Sequence, residues 1–239
     1  MSLWILLAAH FIADFYLQSA DLAEKKTQKF WYLAKHALIY TAVFALFAFL
    51  CIRADAVLLP FVIIVLSHLF IDSVRVQADK KFSNSKSHFA SFLIDQALHL
   101  LIILALVCKF NLNIQIKDWL SGSALLIPLE QILRYALIFI VILNPASVFV
   151  KKLSIYVSDS ANNSIAKNEP PVGNVIGKLE RIIIAILVIC GEFGAIGFVL
   201  TAKSLARYKQ LNEKGFAEKY LVGTLSSTAI AIITTLLLK

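Results

Sequence analysis

Charged side chains are scarce in this chain. Asp, Glu, Lys and Arg make up 16% of its 239 residues, whereas hydrophobic residues make up 59%. A soluble globular domain has about 25% charged residues and about 45–50% apolar ones. The composition therefore excludes a soluble domain and predicts an integral membrane protein, whose length suits a single helical bundle.

Signals of secretion, disulfide bonding and zinc ribbons are also missing. The three cysteines, Cys51, Cys108 and Cys190, form no CxxC spacing, and each lies in an apolar run. They are therefore predicted to be buried free thiols. The N-terminus has neither a basic region nor a small-residue cleavage site, so residues 1–19 are expected to remain as a helix.

Seven apolar runs approach or exceed the length needed to cross a bilayer. They cover residues 2–19, 30–52, 54–76, 88–110, 124–150, 178–202 and 219–238. The predicted fold is all-α, a polytopic transmembrane helical bundle of about seven membrane segments. We expect residues 1–115 to form a four-helix core, and residues 116–239 to add C-terminal membrane helices with an amphipathic interfacial segment.

Basic residues gather between the apolar runs. Those after the first and third runs include Lys25, Lys26, Arg75, Lys80 and Lys81. By the positive-inside rule both connections are cytoplasmic, and residues 151–177 agree with this orientation. Residues 203–220 do not, because simple alternation puts their five basic residues outside. Either one C-terminal segment is re-entrant or it lies flat on the membrane.

The net charge of +8 has a simpler explanation than nucleic acid. Topology and anionic lipid headgroups account for basic residues placed between membrane segments. The expected partner is therefore the lipid bilayer, and no nucleic acid is expected. A homo-oligomer is compatible with the sequence.

Histidine and aspartate lie inside the first four apolar runs, where each costs about 2–3 kcal/mol near a bilayer centre. Three His/Asp pairs have members four residues apart, so each pair shares a helix face. The candidate ligands are His10, Asp14, His36, His68, Asp72, Asp95 and His99. Residues 120–239 contain no histidine. His88, at a helix start, is expected to be interfacial.

The seven candidate ligands are predicted to lie at a similar depth in the membrane. At about 1.5 Å rise per residue, all of them lie roughly 6–17 Å below the cytoplasmic face. Imidazole and carboxylate ligands suit zinc best, with manganese or iron as alternatives. Seven ligands fit two divalent ions with bridging carboxylates and a net positive pocket. A proton relay or a purely structural hydrogen-bonded network is the competing interpretation.

Several sequence blocks resemble a known family. HFIADFYLQ, KHALIY, SHLFIDSVR and FLIDQALHL resemble the bacterial multi-spanning membrane family called domain of unknown function 3307, over roughly residues 1–115. GNVIGKLERIII, GEFGAIGFVLTAKSLARY and AEKYLVGTLSS resemble the C-terminal extension of many members. The resemblance implies a multi-pass protein of the bacterial inner membrane, without an established activity.

A more distant similarity is mechanistic. The repeated His-x-x-x-Asp pairs resemble those of membrane-bound metal-dependent hydrolases, and of the zinc-dependent phospholipase C and single-strand nuclease superfamily. This similarity implies that the seven residues are metal ligands. That superfamily also uses its N-terminal residue as a ligand, and nothing in this sequence suggests that Met1 does so.

Three functions follow from the pattern. The first is a metal-dependent hydrolase, in which Asp95 or Asp14 acts as general base on a phosphate ester, such as a phosphorylated lipid. Its anionic substrate would be attracted by Lys25, Lys26, Lys80 and Lys81. The alternatives are a metal-ion or proton transporter and a non-catalytic scaffold. The hydrolase is favoured because the ligand layer lies toward one face and the sequence contains no repeat.

Overall fold

A computed structural model describes residues 1–27, 29–82, 84–112, 128–160 and 171–239. The helices in these ranges are α1 (Ser2–Phe15), α2 (Ala20–Lys25), α3 (Phe30–Cys51), α4 (Ala54–Lys81), α5 (Ser85–Lys109), α6 (Leu129–Ser160), α7 (Pro171–Cys190), α8 (Phe193–Ala206) and α9 (Lys214–Leu238). A 3₁₀ turn at Gln210–Asn212 precedes α9. The all-α prediction is confirmed.

Five of the described helices are long and apolar enough to cross a membrane. They are α3, α4, α5, α6 and α9, and the shorter apolar helices are α1 and α8. The outer surface is correspondingly apolar, with Leu38 72% exposed and Phe70 69% exposed, while the histidines at positions 10 and 36 are at most 1% exposed. A lipid bilayer accounts for this apolar exterior around a polar interior. The protein is therefore a multi-pass membrane protein.

The chain divides into two compact units, Met1–Leu137 and Ile138–Lys239, and the division falls inside α6. The predicted boundary between residues 115 and 116 lies outside the described residues. In the first unit, α1 packs against α3 and α5, and α4 packs against the same two helices. Four helices therefore form a closed ring around a common interior.

The interior of this ring has an apolar end and a polar end. Its apolar end is filled by Leu6 of α1, Phe44 of α3, Ile64 of α4 and Ile103 of α5, none more than 3% exposed. The histidines and aspartates lie one to three turns further along each helix, toward the other end. Ala9 and Ala13, both fully buried, let the short helix α1 approach its neighbours closely.

Local sequence determines where the helices at the polar end begin. Ser19 Oγ accepts a hydrogen bond from the Leu22 backbone N at 3.1 Å and caps α2. Asn84 Oδ1 accepts one from the Ser87 N at 2.7 Å and caps α5. Each cap satisfies a backbone donor that the first helical turn leaves unpaired. The connection α1–α3 therefore contains a capped helix, α2, and the connection α4–α5 ends in one, α5.

In the second unit, a buried arginine joins α6 to α7. Arg181 is 3% exposed and donates to the carbonyl oxygens of Ile142 and Leu143, and to the hydroxyls of Ser147 and Ser227. Pro145 lies between these acceptors in α6 and lacks the backbone N–H that a helix needs. The guanidinium therefore contacts α6 on both sides of the proline and ties the two helices together.

The apolar run predicted as one segment over 178–202 is two helices. α7 ends at Cys190, Gly191 adopts a positive φ of 83°, and α8 begins at Phe193. Lys203 near the end of α8 pairs with Glu180 of α7 at 2.5 Å, so α8 runs back along α7. The single-span prediction is wrong because a left-handed glycine reverses the chain, which hydropathy does not register.

This reversal determines how the helices on either side of the basic segment 203–220 run relative to each other. Ser204 and Lys203 contact Tyr220 near the start of α9, and Lys239 at its end donates to Ile189 near the end of α7. α9 therefore runs in the direction of α7 and against α8. The basic segment lies at the end of this unit where α7 begins, in agreement with the re-entrant alternative.

The cysteines are free, but they are not all buried. Cys51 is half-buried, whereas Cys108 and Cys190 are exposed at the protein surface. The prediction of buried thiols is therefore wrong for these two. An apolar run indicates burial in the bilayer, and it does not distinguish a lipid-facing position from a protein-facing one.

Candidate metal centre

The ring of α1, α3, α4 and α5 gathers the seven predicted ligands in its interior. α1 supplies two, α3 one, and α4 and α5 two each: His10, Asp14, His36, His68, Asp72, Asp95 and His99. None of their side chains is more than 7% exposed. Because i,i+4 pairs share a helix face, each pair enters the interior together.

Four donor atoms on three helices enclose a small space, which we call site A: Asp14, His36, His68 and Asp72. Nε2 of His36 lies 3.1 Å from Nε2 of His68. It lies 3.5 Å from Asp14 Oδ1 and 3.3 Å from Asp72 Oδ2. Nε2 of His68 lies 4.0 Å and 3.9 Å from the same two oxygens.

These separations, 3.1–4.0 Å, lie on both sides of those in a coordination tetrahedron. Tetrahedral zinc with bonds of about 2.0–2.2 Å keeps its ligand atoms about 3.3–3.6 Å apart. Asp14 Oδ1 is buried without a hydrogen-bond partner, so it is free to bind a cation. Asp14, His36 and His68 also offer atoms that all lie within 4.8 Å of one another. Site A therefore has the donor types and spacing of a metal site.

A second group, site B, consists of His10, Asp14 and His99, which also offer atoms within 4.8 Å of one another. Neutral partners occupy part of it. His10 Nε2 lies 3.2 Å from Gln96 Oε1, and Gln96 Nε2 donates to Asp14 Oδ2 at 3.3 Å. His10 Nδ1 lies 3.3 Å from the Tyr40 hydroxyl. Asp14 belongs to both groups and could bridge two ions.

A series of polar contacts leads away from site A. Nδ1 of His68 lies 2.8 Å from Nε2 of His99. Nδ1 of His99 lies 3.8 Å from Asp95 Oδ1, and Arg75 donates to Asp95 Oδ2 at 2.7 Å. A metal-binding histidine usually donates its second N–H to a neighbour that fixes the ring. His99 is placed to do this for His68.

Of the four lysines predicted to bind substrate, the structure brings one into the cluster. Lys26 is 5% exposed and donates to Oδ1 and Oδ2 of Asp72 at 3.1 and 3.0 Å. Lys25 pairs with Asp21 at the surface. Lys80 and Lys81 are exposed at the end of α4.

Two cluster residues were not predicted from the sequence. Gln96 donates to Asp95 as well as Asp14, and Arg75 pairs with Asp95. Arg75 was expected in a loop, but α4 continues to Lys81, so that expectation is wrong. The sequence signal that could have identified them is helical spacing. Gln96 lies three residues before His99, and Arg75 lies three residues after Asp72.

His88 lies outside the cluster, as predicted. Its side chain is 40% exposed, and its Nδ1 lies 3.1 Å from Asp79 Oδ1. Ser91 Oγ donates to the same oxygen at 2.5 Å, and Arg75 Nε lies 3.7 Å from Asp79 Oδ2. Asp79 therefore joins an exposed histidine to the arginine that holds Asp95.

The fold and the site define a polytopic α-helical membrane protein with a buried histidine–aspartate cluster inside a four-helix ring. Residues 2–127 match the family described as "Protein of unknown function (DUF3307)", and the chain belongs to that family. No curated protein and no solved structure matches the chain. The similarity to metal-dependent hydrolases therefore stays a prediction.

Proposed function

We propose that the protein is a metal-dependent hydrolase of a phosphate ester at the cytoplasmic face of the bacterial inner membrane. Its substrate would be a phosphorylated lipid or another anionic phosphorylated molecule. The observation that carries this proposal is the convergence of two imidazole nitrogens and two carboxylate oxygens in site A. Each of the two nitrogens lies 3.1–4.0 Å from the other nitrogen and from both oxygens. Imidazole nitrogens and carboxylate oxygens gathered this closely favour a cation between them.

We infer that the cluster would hold two divalent ions, with zinc favoured and manganese or iron as alternatives. Site A is the more complete and would fill first. Site B would hold the second ion after the Gln96 amide turns away from His10 and Asp14. Asp14 would bridge the two ions, because its two oxygens face different groups.

Divalent ions in these sites would supply an activated water and neutralise charge on the phosphoryl oxygens. The chain's own groups have separate tasks around them. Asp95 is the better-placed general base, since its Oδ1 has no hydrogen-bond partner while Oδ2 is held by Arg75 and Gln96. Asp14 is less suited, because both ligand groups use it. His99 orients His68 and so fixes its Nε2 toward site A.

Transport of a metal ion or a proton is the second candidate. The hydrogen-bonded histidines at 2.8 and 3.1 Å support it, because such chains also serve proton relays. The packing of the ring argues against it. Leu6, Phe44 and Ile103, at most 1% exposed, fill the other end and leave no polar path along the described helices. A non-catalytic scaffold would keep the cluster as a structural network.

Metal analysis and turnover of matched variants test the proposal. Protein purified without chelator should contain zinc, manganese or iron at up to two ions per chain, and His68→Ala and Asp72→Ala should lose it. His88→Ala is the control, because it removes a histidine that pairs with a carboxylate outside the cluster.

Turnover would be measured on lipid phosphates and phosphodiesters in micelles, from released phosphate or headgroup. His68→Ala and Asp72→Ala should lose turnover, while His88→Ala should retain it. Equal turnover in all four proteins would contradict the proposal. Metal-dependent ion flux in liposomes without hydrolysis would favour transport instead.

A further inference from the structure

Two cations, one buried and one half-buried, pair with the carboxylates and change the charge of the cluster. Lys26 and Arg75 lie against Asp72 and Asp95, and Asp14 is the third carboxylate. With neutral imidazoles the cluster carries one net negative charge. One divalent ion would reverse its sign, and two would leave it strongly positive. Because uncompensated buried charge is costly, a loaded cluster favours an anion close by.

Lys26 is the cation closest to site A. Its ammonium lies 3.0 Å from Asp72 Oδ2, which in turn lies 3.3 Å from His36 Nε2. One carboxylate oxygen therefore serves both the ammonium and site A. An ion bound at site A would withdraw charge from Asp72 and weaken its attraction for Lys26. The ammonium would then have N–H donors available for a new acceptor.

The surroundings of Lys26 hold its ammonium against the cluster. It follows α2 in the connection between α1 and α3, where Leu22 is 7% exposed. The Gln18 amide bridges the Asp14 carbonyl oxygen and Lys26 Nζ, with both contacts at 3.2 Å. Lys25, the next residue along the chain, turns outward to Asp21. The chain thus presents one ammonium to the cluster and the neighbouring one to solvent.

On the basis of the proposed function, we propose that Lys26 binds the phosphoryl oxygens of an anionic ligand beside site A, so that divalent metal and phosphate bind cooperatively. An ammonium is a compact point charge with three donors, which suits phosphate oxygens. Arg75 is less suited, because its shortest contact, at 2.7 Å, is with Asp95.

Zinc titration of the full-length protein in detergent tests this proposal, with inorganic phosphate as the probe. Saturating phosphate should lower the apparent Kd for zinc by about tenfold in the unaltered protein. Lys26→Met should reduce this effect to less than about twofold, and Lys26→Arg should retain most of it. Lys25→Met is the matched control and should behave like the unaltered protein.

The outcomes separate this inference from the proposed function. If the unaltered protein binds zinc without any effect of phosphate, or if Lys26→Met keeps the full effect, the role of Lys26 is wrong and the metal site stands. If the unaltered protein binds no zinc, both proposals fail. Should Lys26→Met not fold, Lys26→Gln replaces it, because its amide can still donate to Asp72 without carrying charge.

Discussion

At the scale of single residues, the three buried carboxylates have different surroundings. Asp14 Oδ1 faces His36 and its Oδ2 accepts from Gln96, so it belongs to both ligand groups. Asp72 is neutralised by Lys26. Asp95 is neutralised by Arg75 and lies behind His99. We therefore expect different phenotypes from substituting Asp14, the proposed ligand of both sites, Asp72, the proposed ligand of site A alone, and Asp95, the proposed general base.

Asp14→Asn and Asp95→Asn should separate metal binding from catalysis. Asp14→Asn removes a charge shared by sites A and B, so the purified protein should lose most of its metal. Asp95→Asn should retain the ion in site A while turnover falls at least about 100-fold, the usual contribution of a general base. Elemental analysis and released phosphate measure the two effects. Full turnover in Asp95→Asn would exclude Asp95 as the base.

Arg75→Met should destabilise the four-helix ring. The Asp95 side chain is 1% exposed, and removing its partner leaves a buried charge unpaired, which costs about 3–5 kcal/mol. Thermal unfolding in detergent measures the loss, with Lys80→Met as the exposed control. Adding Asp95→Asn to Arg75→Met should recover much of the stability. A double variant no more stable than Arg75→Met would show that Arg75 acts through other contacts.

The sequence predicted the members of the cluster better than their partners. An i,i+4 histidine and aspartate in an apolar helix is costly enough to indicate an interior site, and the six residues of the three pairs are buried together with His36. Gln96 and Arg75 carry no comparable signal, since a single glutamine is uncharged and an arginine toward the end of an apolar run also fits an interfacial position. Their roles depend on which helices become neighbours.

At the scale of helices, the reversal at Gly191 determines the topology of the second unit. α8 returns along α7, so the basic segment 203–220 shares an end with the start of α7. Gly191 has a positive φ, which other residues adopt at a cost, and the helix ends there. Hydropathy does not reveal such a turn within an uninterrupted apolar run. It records composition, whereas the chain reverses its direction here through a single backbone dihedral angle.

Cysteine labelling should place the two ends of the α7–α8 pair on one side of the membrane. In a background without Cys51, Cys108 and Cys190, Val172→Cys and Lys209→Cys are both at exposed positions. A membrane-impermeant thiol reagent should label both from the cytoplasmic side and neither from the opposite side. Labelling of position 209 from the opposite side alone would mean that α7 and α8 cross the membrane as one segment.

At the scale of the whole molecule, the candidate metal ligands are distributed unequally along the chain. The candidate metal ligands all belong to the unit Met1–Leu137, whereas the described part of Ile138–Lys239 contributes none of them. The second unit has its own buried charged residue, Arg181, which donates to carbonyls and hydroxyls. Each unit therefore has polar groups buried in its own interior, and we expect bound metal to stabilise only the first unit.

Removing metal should consequently loosen the first unit and leave the second unchanged. A ligand that binds only the folded state stabilises it by about 2.7 kcal/mol at 100 times its Kd. Hydrogen exchange with and without chelator measures this effect for each helix. Chelator should speed exchange in α1, α3, α4 and α5, where the ligands lie, and should not change α7 and α9. His68→Ala should exchange at the faster rate in either condition. Equal acceleration in both units would mean that metal stabilises the chain as one cooperative body, and no response to chelator would leave a hydrogen-bonded network as the better account of the buried histidines.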